Sequence, residues 1–154
     1  MAAGAGANIA LACDFVIAKQ SAAFIQAFSK IGLIPDSGGT YFLPRLIGYQ
    51  RALAQMMLGE KVTADEAMQM GMIYQSVADD QFTNAVDALS TQLSNMPTRA
   101  LALTKFALQK SMQSDLPTQL QNELNGQLEA GATADHKEGV QAFLEKRKAV
   151  FQGK

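Results

Sequence analysis

The sequence predicts an α/β chain whose strands come early and whose second half is wholly helical. Three observations predict it. Short apolar, β-leaning runs occur only before residue 80, at Phe15-Val-Ile-Ala18, Ala23-Phe-Ile25 and Met72-Ile-Tyr-Gln-Ser-Val77. Helix-compatible segments then follow one another to the end, at about 81–95, 98–113, 118–131 and 135–151. The 154 residues are 48% hydrophobic and 18% charged, an ordinary globular composition and enough for one domain or a piece of a larger one. The expected division is 1–80 for the strand-bearing core and 81–154 for the helical region.

Met1 to Ala12 is small and apolar, without the basic start of a secretory signal and too short to span a bilayer. A cytoplasmic chain without membrane contact is expected. The glycines at 4 and 6 open a helix that closes before Asp14. The first two apolar runs, separated by Lys19-Gln-Ser21, form a hairpin or two short strands. Gly32-Leu-Ile-Pro-Asp-Ser-Gly-Gly39 is a loop, and a helix starts near Ser37 and runs towards Gly48 with Pro44 late in it. Ala52, Leu53, Met56 and Met57 share a helical face that Gly59 ends. Thr63-Ala-Asp-Glu66 is a capping box, and Asp135 with Glu138 three residues later caps the last helix.

Several function classes drop out. Thirteen Lys+Arg against fourteen Asp+Glu leave a net charge of −1, which builds no field to hold a nucleic-acid backbone. A single cysteine excludes an internal disulfide, and Cys13, in an apolar run, is expected as a buried, inert thiol. His136 is the only histidine, so Ser-His-Asp catalysis and histidine-rich metal sites are excluded, no metal is expected, and His136 itself reads as a solvated residue beside a helix cap. The methionines fall mostly on helical faces and read as core.

Three features keep two readings each. Gly4-Ala-Gly6 has neither Walker nor dinucleotide-fingerprint spacing. It serves either close helix packing or a helix N-terminus whose free N–H groups bind an oxyanion. Asp36 either caps the following helix, as Ser37 could, or stands as a general acid/base beside an apolar wall. Lys146-Arg-Lys148 is a solvated helix end or a phosphate-binding cluster.

Taken together, Ala2-Ala-Gly-Ala-Gly-Ala-Asn-Ile-Ala-Leu-Ala-Cys-Asp14, Gly32-Leu-Ile-Pro-Asp-Ser-Gly-Gly-Thr40 and Leu43-Pro-Arg-Leu-Ile-Gly48 resemble the crotonase (enoyl-CoA hydratase/isomerase) superfamily. Leu58-Gly59, Ala64-Asp-Glu-Ala67, Gly71-Met-Ile73 and Glu138-Gly-Val-Gln-Ala-Phe-Leu-Glu-Lys-Arg147 continue the pattern in order. The resemblance implies the C-terminal part of a ββα spiral, followed by a helical region that builds homotrimers, often hexamers. It implies an N-terminally incomplete chain, because the first turns of the spiral would precede Met1. It further implies an acyl-CoA thioester substrate, with coenzyme A part of that substrate and no separate cofactor.

By the same resemblance, Ala5 after Gly4 supplies one backbone N–H of an oxyanion hole, and the second comes from a loop outside this sequence. Losing one such donor costs on the order of 3 kcal/mol of transition-state stabilisation, so the chain alone is expected to be a poor catalyst. Asn8 and Phe28 stand where the hydratases place two glutamates, which disfavours hydration. Asp36 stands where the Asp-bearing isomerases place their acid/base, and Ile34-Pro-Asp-Ser-Gly-Gly39 is most similar to the branch isomerising ring-1,2-epoxyphenylacetyl-CoA in phenylacetate catabolism. Phe28 then lines the acyl pocket, and Phe143 and Lys146 contact the adenine and phosphate end of CoA. An acyl-CoA isomerase is the expected activity, in phenylacetate or fatty-acid metabolism. The alternatives are a non-catalytic assembly module and an enoyl-CoA hydratase.

Overall fold

The computed structural model describes residues 1–154, and the chain groups into two compact units, Met1–Asp87 and Ala88–Lys154. In the first unit, β1 (Ala2–Ala3) runs parallel to β3 (Ala23–Ile25), with Ala2 opposite Phe24. β4 (Lys61–Thr63) pairs antiparallel with β3, giving the order β1-β3-β4. β2 (Ile17–Lys19) pairs instead with β5 (Gln75–Val77), in parallel. The consecutive strands β2 and β3 are therefore not a hairpin. Gln20 N–H donates to Val77 O at 2.8 Å while Ala22 O accepts from Ala64 N–H at 3.1 Å, so the two ends of the turn are held by different sheets.

The first unit's helices bury one face each. α1 (Ala5–Leu11) buries Ala7 and Leu11, and α2 (Gly39–Ile47) buries Leu43 and Ile47; both pairs have the four-residue spacing of one helical face. α3 (Tyr49–Leu58) buries Ala52, with Met56 packed on the core, but Leu53 and Met57 are exposed, so its apolar face is narrower than the spacing predicts. α4 (Ala64–Gln69) buries Ala64 and Ala67. These side chains form one core with Ala18, Phe24, Val62, Met72 and Ile73. Met72 and Ile73 enter it from a bend, because strand pairing begins only at Gln75. Cys13 lies beyond the end of α1 and is exposed, against the expectation of a buried thiol; its Sγ reaches only the Ile9 carbonyl, at 3.6 Å.

α5 (Phe82–Ser94) continues from the first unit into the second, which holds α6 (Thr98–Ser111), α7 (Leu116–Gly131) and α8 (Ala134–Leu144). Leu116, Leu120, Leu124 and Leu128 recur every four residues along α7 and are all exposed. α6 and α7 bury no side chain fully. The last helix stops at Leu144, well short of 151. Its N-cap is Thr133, whose side chain accepts from His136 N–H at 3.1 Å, and Asp135 has another task described below. No helix is long and apolar enough to cross a membrane.

The capping box at β4–α4 is formed as its sequence predicts: Thr63 Oγ1 accepts from Glu66 N–H at 3.3 Å and Glu66 Oε2 accepts from Thr63 N–H at 2.8 Å. Thr63→Ala is expected to lower the unfolding free energy by about 1 kcal/mol, read from the midpoint and slope of a urea transition.

Candidate active site

The site begins at a turn. Gly39 N–H donates to Asp36 O at 2.9 Å, closing a four-residue turn whose central residues, Ser37 (φ 50°) and Gly38 (φ 78°), are both left-handed. Glycine takes this conformation freely, whereas for serine it costs roughly 1–2 kcal/mol. α2 starts only after the turn, at Gly39, with Gly38 as an N-cap that makes no side-chain bond. Neither Asp36 nor Ser37 caps the helix, which leaves the Asp36 carboxylate clear of that role.

The turn is tied to the interior through Asn8 on α1. Asn8 is fully buried; its Nδ2 donates to Asp36 O at 2.9 Å, and its Oδ1 accepts from Gln26 Nε2 at 2.6 Å. Asp36 O thus accepts twice, from Gly39 N–H and from the Asn8 amide. Gly39 lies flat against that amide, and a Cβ there would overlap it. Gln26, 2% exposed, keeps its Oε1 without a hydrogen-bond partner.

At the start of α1, Gly4 has φ 52° and ψ −127°, which a residue with a Cβ resists, and its N–H is pinned to Ile25 O at 2.9 Å. That corner turns the chain from β1 directly into α1, so Ala5 opens the helix with no side chain capping it. First-turn N–H groups have no partner within their own helix. The Phe28 ring lies against Gly4, where an added Cβ would sit 3.4 Å from its Cζ. Phe28 is itself buried, on a 3₁₀ turn spanning Ala27–Ile31.

Gly4, Ala5, Phe28 and Asp36 therefore belong to one framework: Phe28 touches Gly4, and Asn8, one turn along α1 from Ala5, holds the Asp36 backbone. The expected apolar wall around Asp36 is not formed by this chain. Asp36 is exposed, and Ile31, Leu33 and Ile34 leading to it are exposed as well, because the loop runs over the surface before the turn. Two contributors escape the sequence reading, Gln26 and the anchoring role of Asn8. The available signal for Gln26 is a lone amide inside the apolar run Ala23-Phe-Ile-Gln-Ala-Phe28.

Phe143 and Lys146 lie in the second unit, at the end of α8. Lys146 N–H donates to Phe143 O at 3.2 Å and Arg147 N–H to Ala142 O at 3.0 Å, the two bonds of a Schellman turn. Lys146 holds the left-handed position, φ 53°, that glycine usually fills. Phe143, 83% exposed, and Lys146 both face solvent. Past the turn the chain doubles back and two acids hold it. Asp135, buried, accepts from the N–H groups of Gln152 (2.7 Å) and Gly153 (2.8 Å). Glu138 accepts from Arg147 (2.6 and 2.9 Å) and from Val150 N–H (2.9 Å). These bonds explain why helix does not continue to 151.

The parallel pairing of β1 with β3 around α1, a second small sheet, and the bond from Asn8 on α1 to the turn at Asp36 define an α/β framework. Residues 1–154 match the family described as enoyl-CoA hydratase/isomerase. The chain is 50% identical over 153 residues to a Rhodobacter capsulatus protein named "probable enoyl-CoA hydratase", covering 99% of this chain and 60% of that protein. It is 47% identical over 154 residues to the 1,2-epoxyphenylacetyl-CoA isomerase of Escherichia coli, covering all of this chain and 59% of that protein. The crystal structure of an enoyl-CoA hydratase from Bacillus anthracis superposes with a TM-score of 0.95 at 35% identity, over 99% of this chain and 59% of that one. The chain belongs to the enoyl-CoA hydratase/isomerase family and has the crotonase fold. It spans about three fifths of the length of these relatives.

The hydrogen bonds from Arg147, and then from Val150 N–H, hold the Glu138 carboxyl well below the ordinary value of 4.5, at about 2. A depressed carboxyl stabilises the fold at pH above its unfolded value and loses that contribution as pH falls towards the folded one. A carbon-detected NMR titration should place the Glu138 midpoint near 2, and Glu138→Gln should flatten the loss of stability between pH 4.5 and 2. A midpoint near 4.5 would mean that the Arg147 contact does not persist in solution.

Proposed function

We propose that the protein in its full natural length is an acyl-CoA isomerase with Asp36 as its acid/base. The observation that carries this reading is a solvent-facing carboxylate on a turn whose backbone is doubly bonded and strained, with no capping duty. Strain of that kind persists where surrounding structure over-determines it, and it clusters at functional sites. In a Δ3-enoyl thioester, Asp36 removes a proton from C2; the C–H electron pair forms a C1–C2 double bond as the carbonyl π pair moves onto the thioester oxygen, giving a dienolate conjugated with the Δ3 bond. The Ala5 N–H, with a second donor from outside residues 1–154, stabilises that oxyanion. Return of the same proton to C4 gives the Δ2 isomer, with no net change in atoms.

Hydration fits less well. It needs groups that exchange protons with water, and at the two positions in question stand Asn8, whose amide is committed to Asp36 O and Gln26, and Phe28, whose ring packs on Gly4. The name of the Escherichia coli relative supports the same class of reaction, rearrangement within an acyl group carried on CoA. The reading needs no cofactor beyond the CoA of the substrate. Lys146 and Phe143 would meet the phosphate and adenine of CoA, and the left-handed Lys146 supports a role there, because stability alone favours glycine at that position. The exposed leucine row on α7, beside an open groove of about 1230 Å³ between α6, α7 and α8, supports assembly into a homotrimer or hexamer through the second unit.

Two variants of the full-length protein test the reading. Asp36→Asn should abolish Δ3-to-Δ2 enoyl-CoA isomerisation while CoA-ester affinity stays within a few-fold; undiminished turnover sinks the acid/base assignment. Lys146→Gly should raise the unfolding free energy by about 0.5–1 kcal/mol, since glycine takes φ > 0 without strain, and should weaken CoA-ester binding several-fold. Unchanged affinity would remove Lys146 from the CoA site.

A further inference from the structure

We infer that Asn8 is a positioning residue for the Asp36 carboxylate, acting through the Asp36 backbone carbonyl with Gln26 as its support. The inference rests on the acid/base reading of Asp36 and adds residues that touch no substrate. A surface turn with two left-handed residues has other accessible shapes, and the Gly39 N–H bond alone does not single out this one. The bond from Asn8 Nδ2 occupies the second lone pair of Asp36 O, so the peptide plane that carries the Asp36 Cα is fixed from inside the fold. Asn8 cannot swing away. It is fully buried, its Oδ1 receives Gln26 Nε2 at 2.6 Å, and Gly39 is pressed against its amide with no room for a Cβ.

The chain of contacts also joins the two chemical ends of the site. Asn8 lies on α1, whose first residue is Ala5, so the helix that offers the oxyanion donor also sets where the acid/base stands. Displacement of the turn by an ångström would move the carboxylate off the carbon-bound proton without touching the CoA end. Misplacement of that size costs about 100-fold in rate.

The test uses the full-length protein and a Δ3-enoyl-CoA substrate. Asn8→Leu combined with Gln26→Met replaces both amides by apolar side chains of similar size, an exchange that can be close to neutral for folding. The double variant should melt within a few degrees of the parent, keep KM within about 3-fold, and lose about 100-fold in kcat. Amide exchange at Gly39, whose N–H bonds to Asp36 O, should quicken. Added to Asp36→Asn, the pair should lower the residual rate no further, because it acts through that carboxylate. Unchanged kcat in Asn8→Leu/Gln26→Met, with Asp36→Asn inactive, would overturn the positioning role and leave the acid/base reading standing. Full activity in Asp36→Asn would overturn both.

Discussion

The hydrogen bond from the Asn8 amide to the Asp36 carbonyl joins the first helix to the turn that precedes the second. Around it, three otherwise separate pieces of chain acquire fixed positions. α1 is set by the corner at Gly4, the end of β3 reaches Asn8 through Gln26, and the turn at 36–39 closes onto the same amide through Gly39. A buried amide is a costly way to join elements unless each of its atoms is used. Here both are, one as donor and one as acceptor.

The first unit therefore keeps its packed core apart from the turn that carries Asp36. Its core is made of small and aliphatic side chains, Ala7, Leu11, Leu43, Ile47, Ala52, Val62 and Ala67, which let helices and strands approach closely. Asp36 stands outside that core, and Ala5 is only half-buried. The second unit is built differently. α6 and α7 bury nothing fully, and the structured tail after α8 is held by carboxylates binding backbone N–H groups. Side-chain packing organises the first unit, whereas hydrogen bonding carries much of the order at the end of the second.

Local signals made much of this visible in advance. The capping box at Thr63, the stop at Gly59 and the first helix after residue 81 are written in a few neighbouring residues, and they appear where the pattern places them. Features set by distant partners were not visible. Nothing near Lys19 says that β2 joins β5 rather than β3, because the choice depends on residues more than fifty positions away. Asp135 looks like a cap, yet its oxygens serve Gln152 and Gly153, seventeen and eighteen residues on. In the site, the residue types left Asp36 with two readings and Ala5 came from the family resemblance, and whether Asp36 was spent on capping could be decided only by seeing Gly38 in that place. The Asn8–Gln26 pair stayed hidden because two amides in apolar runs carry no pattern until they meet.

Lys146 occupies a backbone conformation that opposes its own side chain. Glycine or asparagine would sit at this corner with less strain, and nothing in the Schellman turn would resist the change. Position 146 thus marks a place in the fold where backbone preference alone would select a different residue.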